Sequence, residues 1–388
     1  MDSTHDVVIL YHSLGQGSAT TITEHIAAFN ESTFSIKGIN VGEGYPPDLD
    51  GKSFPVVVLH YSLFGIWPYS LNEAFLAFLH RSESSFKVAM FQDEYRYCRN
   101  RFEFINRYHI DCIYTLLEPQ HQGLVYGAHT SVTRIIYTLP GYVSQNLVRS
   151  AAQWARPDDQ RSIDIGYRGR ILDFSLGFGG VEKAYIGEMA QAFLEDKGLM
   201  VDIEVDEDKR LYGEDWNRFI GNCKGMLGTE SGVTIFDLDD RVRETCEVVR
   251  ALAPGTTFLE LWDQYLCKHS NQVYYRMMSP RHFEASAFRV CQILFEGDYS
   301  GLLLPMEHYL PLKKDFSNLE EVLCLFQDSA IRKKITDNCY AEFIDSGRYD
   351  YTKFVQEFDL ELRKAGFNPS RASGNGNQVI SWLPGTSA

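Results

Sequence analysis

Ser279–Phe295 reads SPRHFEASAFRVCQILF, and the fold turns on how that stretch is read. Ser279 is a natural helix N-cap and Pro280 suits the first helical position. Glu284 and the small residues after it continue the helix. Val290–Phe295 is then an apolar run of strand length. A short helix feeding a buried strand is half of an α/β unit. The first turn also carries Arg281 and His282, although the amino end of a helix is partially positive and disfavours cations. Two readings stand. Either both side chains point into water, or they join the free backbone N–H groups in holding an anion such as a phosphate.

Outward from this stretch the same alternation runs along the chain. Asp6–Tyr11, Ser32–Asn40, Phe54–Ser62, Phe86–Gln92, Ile110–Leu117 and Thr133–Val143 read as strands. Helical patterns lie near Ile22–Phe29, Ser70–His80 and Tyr95–His109. Gln145–Ser162 is polar, holds a proline and interrupts the alternation. The pattern restarts with strands at Ile163–Gly169, Leu199–Val205 and Lys224–Thr229, and with helices at Gly180–Gly198 and Asp215–Cys223. Further helical stretches fall at Val242–Leu252, Phe258–Lys268 and Ser317–Phe326, the last with Ser317 and Glu320 spaced as a capping box. Short apolar runs alternating with amphipathic helices predict parallel sheets covered on both faces. The expected class is α/β, with two doubly wound Rossmann-like domains facing a cleft. Residues 1–150 form the first and 163–330 the second. Residues 331–367 are read as helices packing back on the first domain, and 368–388, rich in Gly, Ser and Asn, as a flexible tail.

Composition narrows the function classes. At 388 residues the chain exceeds one ordinary core, which also favours two domains. A net charge of −15 argues against a duplex nucleic-acid binder, which needs a basic face. The eight cysteines are scattered with no Cys-x-x-Cys pair, so a zinc site is not expected. No signal peptide and no bilayer-length apolar run is read, and a reducing cytoplasm is the expected compartment. Gly15 and Gly17 allow a close backbone approach, but Thr20 stands where a dinucleotide signature needs its third glycine. Asp206 with Asp208 reads as a solvated loop, and Asp237 with Asp239 as a helix start rather than a metal pair. The aromatics of Tyr95–Phe102 are read as packing on a sheet rather than on single-stranded nucleic acid.

In open α/β sheets ligands meet the chain outside the carboxyl ends of the strands. That rule selects Tyr167–Arg170 (YRGR), Gly228–Gly232 (GTESG) and the Ser279–Glu284 turn in the second domain. In the first it selects His60, Asp93 and Glu94. His60 reads either as a general base or as a satisfied structural histidine. Asp93 reads either as a base or as the cap of the following helix.

Pro280–Gly301, PRHFEASAFRVCQILFEGDYSG, resembles the donor-binding segment of GT-B glycosyltransferases. In retaining members a glutamate followed by Ala-x-Ala opens a helix, then a strand and a Gly-rich turn. Glu284 matches the second motif glutamate, which in that family typically accepts hydrogen bonds from the ribose of the nucleotide sugar. Eight positions earlier, where such enzymes often carry a paired glutamate, this chain has Arg276. Asp164–Arg170 with Glu182–Lys183 resembles the Arg and Lys that hold the donor phosphates, which maps that role onto Arg170 and Lys183, with Arg168 beside them. The wider texture resembles bacterial glycosyltransferases of surface-polysaccharide clusters.

The resemblance implies transfer of a sugar from a nucleotide-sugar donor to a glycan or other hydroxyl acceptor, lipid-linked acceptors at the inner membrane face included. It implies no metal and no cofactor, the nucleotide sugar being a substrate. The first domain would take the acceptor, with His60, Asp93 and Glu94 as its catalytic groups. Arg170 and Lys183 would stabilise the leaving diphosphate. Arg168, Glu230, Ser231, Gly232, Arg281, His282 and Glu284 would hold the donor. An epimerase or hydrolase of the same fold, and a noncatalytic sugar-nucleotide-binding protein, are the alternatives.

Overall fold

The computed structural model describes residues 5–14, 20–370 and 379. The chain folds as two compact units, Met1–Gly141 with Leu238–Asp240 and Tyr351–Ala388, and Tyr142–Asp237 with Arg241–Asp350. The first unit carries β1 (Val7–Tyr11), α1 (Thr20–Ala28), β2 (Ile36–Asn40), β3 (Val56–Leu59), α2 (Glu73–Arg81) and β4 (Phe86–Met90). α3 (Cys98–Arg107), β5 (Cys112–Thr115), α4 (Pro119–Gln122) and β6 (Arg134–Tyr137) complete its alternation. The second unit opens with α5 (Gln145–Trp154), β7 (Ile163–Arg168), α6 (Phe178–Leu194), β8 (Val201–Glu204), α7 (Gly213–Gly221) and β9 (Cys223–Gly228). It continues with β10 (Ser231–Val233), α8 (Arg241–Leu252), α9 (Phe258–Leu261), β11 (Tyr275–Met277), α10 (Pro280–Ala287) and β12 (Cys291–Phe295). β13 (Leu310–Leu312), α11 (Leu319–Gln327) and α12 (Ser329–Tyr340) close it, and α13 (Tyr351–Lys364) returns to the first unit.

Each unit is a doubly wound α/β domain. The first sheet runs β2-β1-β3-β4-β5-β6, every neighbouring pair parallel. The second runs β13-β12-β9-β7-β8, likewise parallel. In both, the first two strands lie in reversed order and the third pairs on the other side of the first. The topological switch point therefore falls between β1 and β3 in one unit and between β7 and β9 in the other, where such sheets take ligands. VVILY and VVVL are buried along their whole length because helices cover both faces, so these strands read as continuous apolar runs rather than alternating ones.

Two boundaries depart from the sequence reading. Gln145–Trp154, inside the stretch that interrupts the alternation, is helix α5. The Ser144 hydroxyl accepts the Leu147 N–H at 2.9 Å, and α5 packs on α7 of the second unit. Its polarity marks a helix with a wide solvated face. The segment expected to return whole to the first unit is split. α12 and the π turn Ala341–Asp345 stay with the second unit, where Phe343 meets Phe283, and only α13 lies against α1. The Ser317–Glu320 capping box does not form. Asn318 is the N-cap of α11, and its Oδ1 is used by the Lys313 N–H. Gly15 and Gly17 lie outside the described residues, as does most of the tail.

Between β9 and β11 the chain makes an excursion with its own small core of Ile235, Val242, Cys246, Phe258, Leu261 and Leu266. β10 and β11 pair antiparallel and tie its ends together. In β7, Gly166 lies against Cys223 and Phe219, and an added Cβ would stand 2.8 Å from the Phe219 ring. Gly166→Ala is therefore expected to destabilise by about 1–3 kcal/mol through overpacking. The check is urea denaturation, with a lower midpoint and an unchanged slope.

Candidate functional site

At the carboxyl end of the second sheet, α7 and α10 bring an aromatic, an acid and a cation together. Trp216, on the first turns of α7, donates its indole N–H to Glu284 Oε2 at 2.9 Å. The Arg281 guanidinium stacks over the Trp216 ring, 5.2 Å from its centroid, and donates to the Arg168 carbonyl at the end of β7. Glu284 is half-buried. Burial pushes its carboxyl pKa up, and Arg281 and the indole N–H pull against that. Arg281 is exposed at the start of α10 and Arg170 is exposed in the loop after β7. Lys183, on α6, is half-buried, and its carbonyl accepts the Tyr167 hydroxyl at 2.7 Å. Ser231 and Gly232 lie on β10, opposite Met277 and Arg276.

The puzzle of two cations in the first turn of α10 resolves by separating them. His282 turns inward, with Nδ1 2.8 Å from the Gln292 amide oxygen. Burial lowers its pKa to about 4, so at neutral pH it adds no charge against the helix dipole. The Arg281 guanidinium instead lies on the Trp216 ring and donates to the Arg168 carbonyl. Neither of the two sequence readings covers His282.

Two other expected donor contacts, Arg168 and Glu230, are spent inside the protein, and Arg276 is buried beside them. Arg168 donates to the Tyr167 and Asp202 carbonyls, pairs with the Asp202 carboxylate at 2.8 Å and stacks on Phe219. Glu230 Oε1 accepts the Tyr274 hydroxyl at 3.0 Å and the Asp298 and Tyr299 N–H groups at 3.1 Å each. Arg276, only 4% exposed, pairs with Glu182 at 2.7 Å and lies 3.4 Å from Glu230. Glu182 in turn takes Lys314 at 2.5 Å. Burial opposes the charge on Arg276, but the two carboxylates more than offset it and hold its pKa above the usual arginine value.

In the first unit the expected acceptor groups divide in the same way. His60 is fully buried. Its Nδ1 accepts the Ser62 N–H at 3.1 Å and its Nε2 faces His25 Nδ1 at 3.0 Å. Burial holds His60 well below the usual histidine value and takes His25 to about 3. Glu94 is fully buried and accepts the Thr115 hydroxyl at 2.5 Å, the Leu116 N–H at 2.8 Å and the Tyr126 hydroxyl. Asp93 is exposed in a left-handed turn at φ 50 and accepts the Tyr95 hydroxyl. It does not cap α3. That task falls to Asp240, whose carboxylate takes the Cys98 and Arg99 N–H groups at 3.3 and 3.2 Å.

Sequence reasoning passed over Trp216. The available signal was an aromatic placed in the first turns of a helix that follows a strand's carboxyl end. Asp237 accepts the Arg243 N–H in the first turn of α8, as a helix-start carboxylate does. Among the described residues no three His, Cys, Asp or Glu side chains are grouped as metal donors. No helix among them is long and apolar enough to cross a membrane. A cavity of about 300 Å³ lined by Trp154, Arg156, Arg218 and Asn222 lies at the amino end of β9, away from the ligand end of the sheet.

No family model and no curated protein matches the chain. Solved structures do. An alpha-glucosyltransferase in complex with UDP and a 13-mer DNA containing a HMU base superposes with a TM-score of 0.54 at 10% identity, over 93% of this chain and 100% of that one. HepE of Anabaena in complex with UDP and glucose gives 0.50 at 10% identity, over 93% and 100%. TarM gives 0.42 at 11% identity over 79% of this chain, which spans 54% of TarM's length. The two-domain GT-B fold expected from the sequence is the fold of this chain.

Two measurements test the site as described. Glu94→Ala strands two hydroxyls and an N–H, so a loss of about 3 kcal/mol is expected in denaturation. Asp93→Ala should stay within about 0.5 kcal/mol of wild type. Because His25, His60 and His282 are neutral when folded but take up a proton below about pH 6.5 when unfolded, their contribution is complete above that pH. It is lost as pH falls towards the folded values of about 4 for His282 and about 3 for His25. Unfolding midpoints at pH 7.5, 6 and 5 should fall in that order, and His282→Asn should flatten the slope.

Proposed function

We propose that this protein is a glycosyltransferase that moves a sugar from a nucleotide-sugar donor to a hydroxyl acceptor. The observation that carries this reading is the Trp216–Glu284–Arg281 constellation at the carboxyl end of the second unit's sheet. Support comes from the fold shared with an alpha-glucosyltransferase solved with UDP or UDP-glucose and with HepE solved with UDP. In this reading Glu284 accepts the ribose hydroxyls, and the Trp216 indole N–H and Arg281 keep its carboxylate oriented. Arg281 and Arg170, both exposed, meet the diphosphate.

Negative charge grows on that diphosphate as the glycosidic bond to the sugar breaks. Fixed cations stabilise it most when they need no rearrangement. Arg281 fits, since its guanidinium is already held between the Arg168 carbonyl and the Trp216 face. Lys183 is a further cation for the same group. The reaction as proposed needs no metal. A polysaccharide or lipid-linked glycan is the proposed acceptor class, because the chain's charge of −15 opposes a duplex nucleic acid. With Glu94 and His60 buried and saturated, Asp93 is the remaining acceptor-side group of the three proposed.

A panel of nucleotide sugars screened by thermal shift identifies the donor, since a ligand at 100 times its Kd stabilises by about 2.7 kcal/mol. Glu284→Ala is expected to weaken UDP binding about tenfold or more in calorimetry on folded protein. Arg170→Ala and Arg281→Ala should each lower turnover by about 10²–10³. Nucleoside diphosphate released only when an acceptor is supplied marks transfer. Unchanged UDP affinity in Glu284→Ala removes Glu284 from the site.

A further inference from the structure

We infer that the cleft at the amino edge of the second unit's sheet is a binding site for an acidic sugar, a pyranose carrying a carboxylate. Trp154, Arg156, Arg218 and Asn222 line it, all from one unit. The proposed donor site lies at the opposite, carboxyl ends of the strands, so this inference stands apart from the donor reading. At about 300 Å³ the cleft is at the lower end of the range of small-molecule sites. Its walls are the carboxyl ends of two helices. Trp154 closes α5, and Arg218 lies in the last turn of α7. The two ends are locked together. The Arg156 N–H donates to the Gly221 carbonyl at 3.1 Å, and a Cβ on Gly221 would overlap the Trp154 carbonyl. Asn222, the residue before β9, is fixed by Ser162. Its amide oxygen accepts the Ser162 N–H at 3.1 Å, and its amide nitrogen donates to the Ser162 hydroxyl at 2.6 Å. The cleft is therefore preformed.

The lining selects the ligand. Helix carboxyl ends favour a nearby cation, which accounts for the two arginines but not for an aromatic ring and a cavity beside them. Among the described residues no carboxylate pairs with Arg156. Its guanidinium has the Asn222 amide oxygen at 3.4 Å, while Asp158, two residues on, is turned to Arg332 at 2.6 Å. The Arg218 guanidinium lies over the Trp154 ring at 4.8 Å and pairs with Glu214 at 3.1 Å. Both partners of that pair are more than half exposed, so it holds weakly and yields to a better acceptor. The planar guanidinium fork matches a carboxylate with two parallel N–H bonds. The Trp154 ring offers an apolar face to the C–H groups of a sugar ring. A free phosphate or sulfate would use the arginines and leave the ring idle. A neutral sugar would use the ring and leave both charges unanswered. A sugar acid uses both. Held at the amino edge of the sheet, it is retained rather than consumed.

Calorimetry on the full chain with an oligogalacturonate, a malto-oligosaccharide of equal length and inorganic sulfate tests this. Wild type is expected to bind the oligogalacturonate tightest of the three. Arg156→Gln should weaken that binding about tenfold, and Arg156→Lys should recover only part of it, because the fork is lost while the charge stays. Trp154→Leu should weaken the oligogalacturonate and leave sulfate unchanged. Arg156 is exposed, so Arg156→Gln is expected to fold as wild type, and it decides the matter even where Trp154→Leu does not fold. No binding of the oligogalacturonate, or unchanged affinity in Arg156→Gln, overturns the site. Sulfate or the neutral oligosaccharide binding as tightly as the oligogalacturonate overturns the acidic sugar as its ligand.

Discussion

Arg276 is a cation with almost no access to water, and the carboxyl edge of the second unit's sheet is organised around keeping it paired. An isolated buried charge costs several kcal/mol, so Glu182 and Glu230 must stay within reach. Meeting that demand joins α6 to β11 and to the turn after β9. Glu230 then spends its other oxygen on the loop after β12, and Glu182 reaches Lys314 beyond β13. Gly179 is part of the same arrangement, since a Cβ there would stand 2.8 Å from the Arg276 guanidinium. One charge thereby fixes the positions of the elements that surround the sheet's carboxyl edge.

Two acids, Glu182 and Glu230, converge on Arg276 from other elements. The half-buried Glu284 keeps its own separate partners, Trp216 and Arg281.

The strands were legible because buried parallel strands are uninterrupted apolar runs, as in VVILY and VVVL. The place of Arg281 and Glu284 on the first turns of α10 was legible because they follow a strong helix-start signal at Ser279–Pro280. What escaped was whatever depends on a partner distant in the chain. His60, Glu94 and Glu230 look like site residues because polar groups at strand ends are unusual, yet each is satisfied by groups elsewhere in the fold. α5 was passed over for a related reason, since a helix with a wide solvated face has a largely polar sequence. Trp216 carried no motif and gains its meaning only from Glu284, 68 residues later.

The cap of α3 bears on how the protein is made. Cys98 and Arg99 receive their side-chain acceptor from Asp240, 142 residues beyond Cys98, and α13 covers α1 only after Tyr351 has been synthesised. On the ribosome the amino-terminal unit therefore lacks this cap and the cover on α1 until those residues emerge, whereas the second unit is continuous but for three residues. The half of the chain that appears first thus completes its last native contacts only after nearly all of the described chain has emerged.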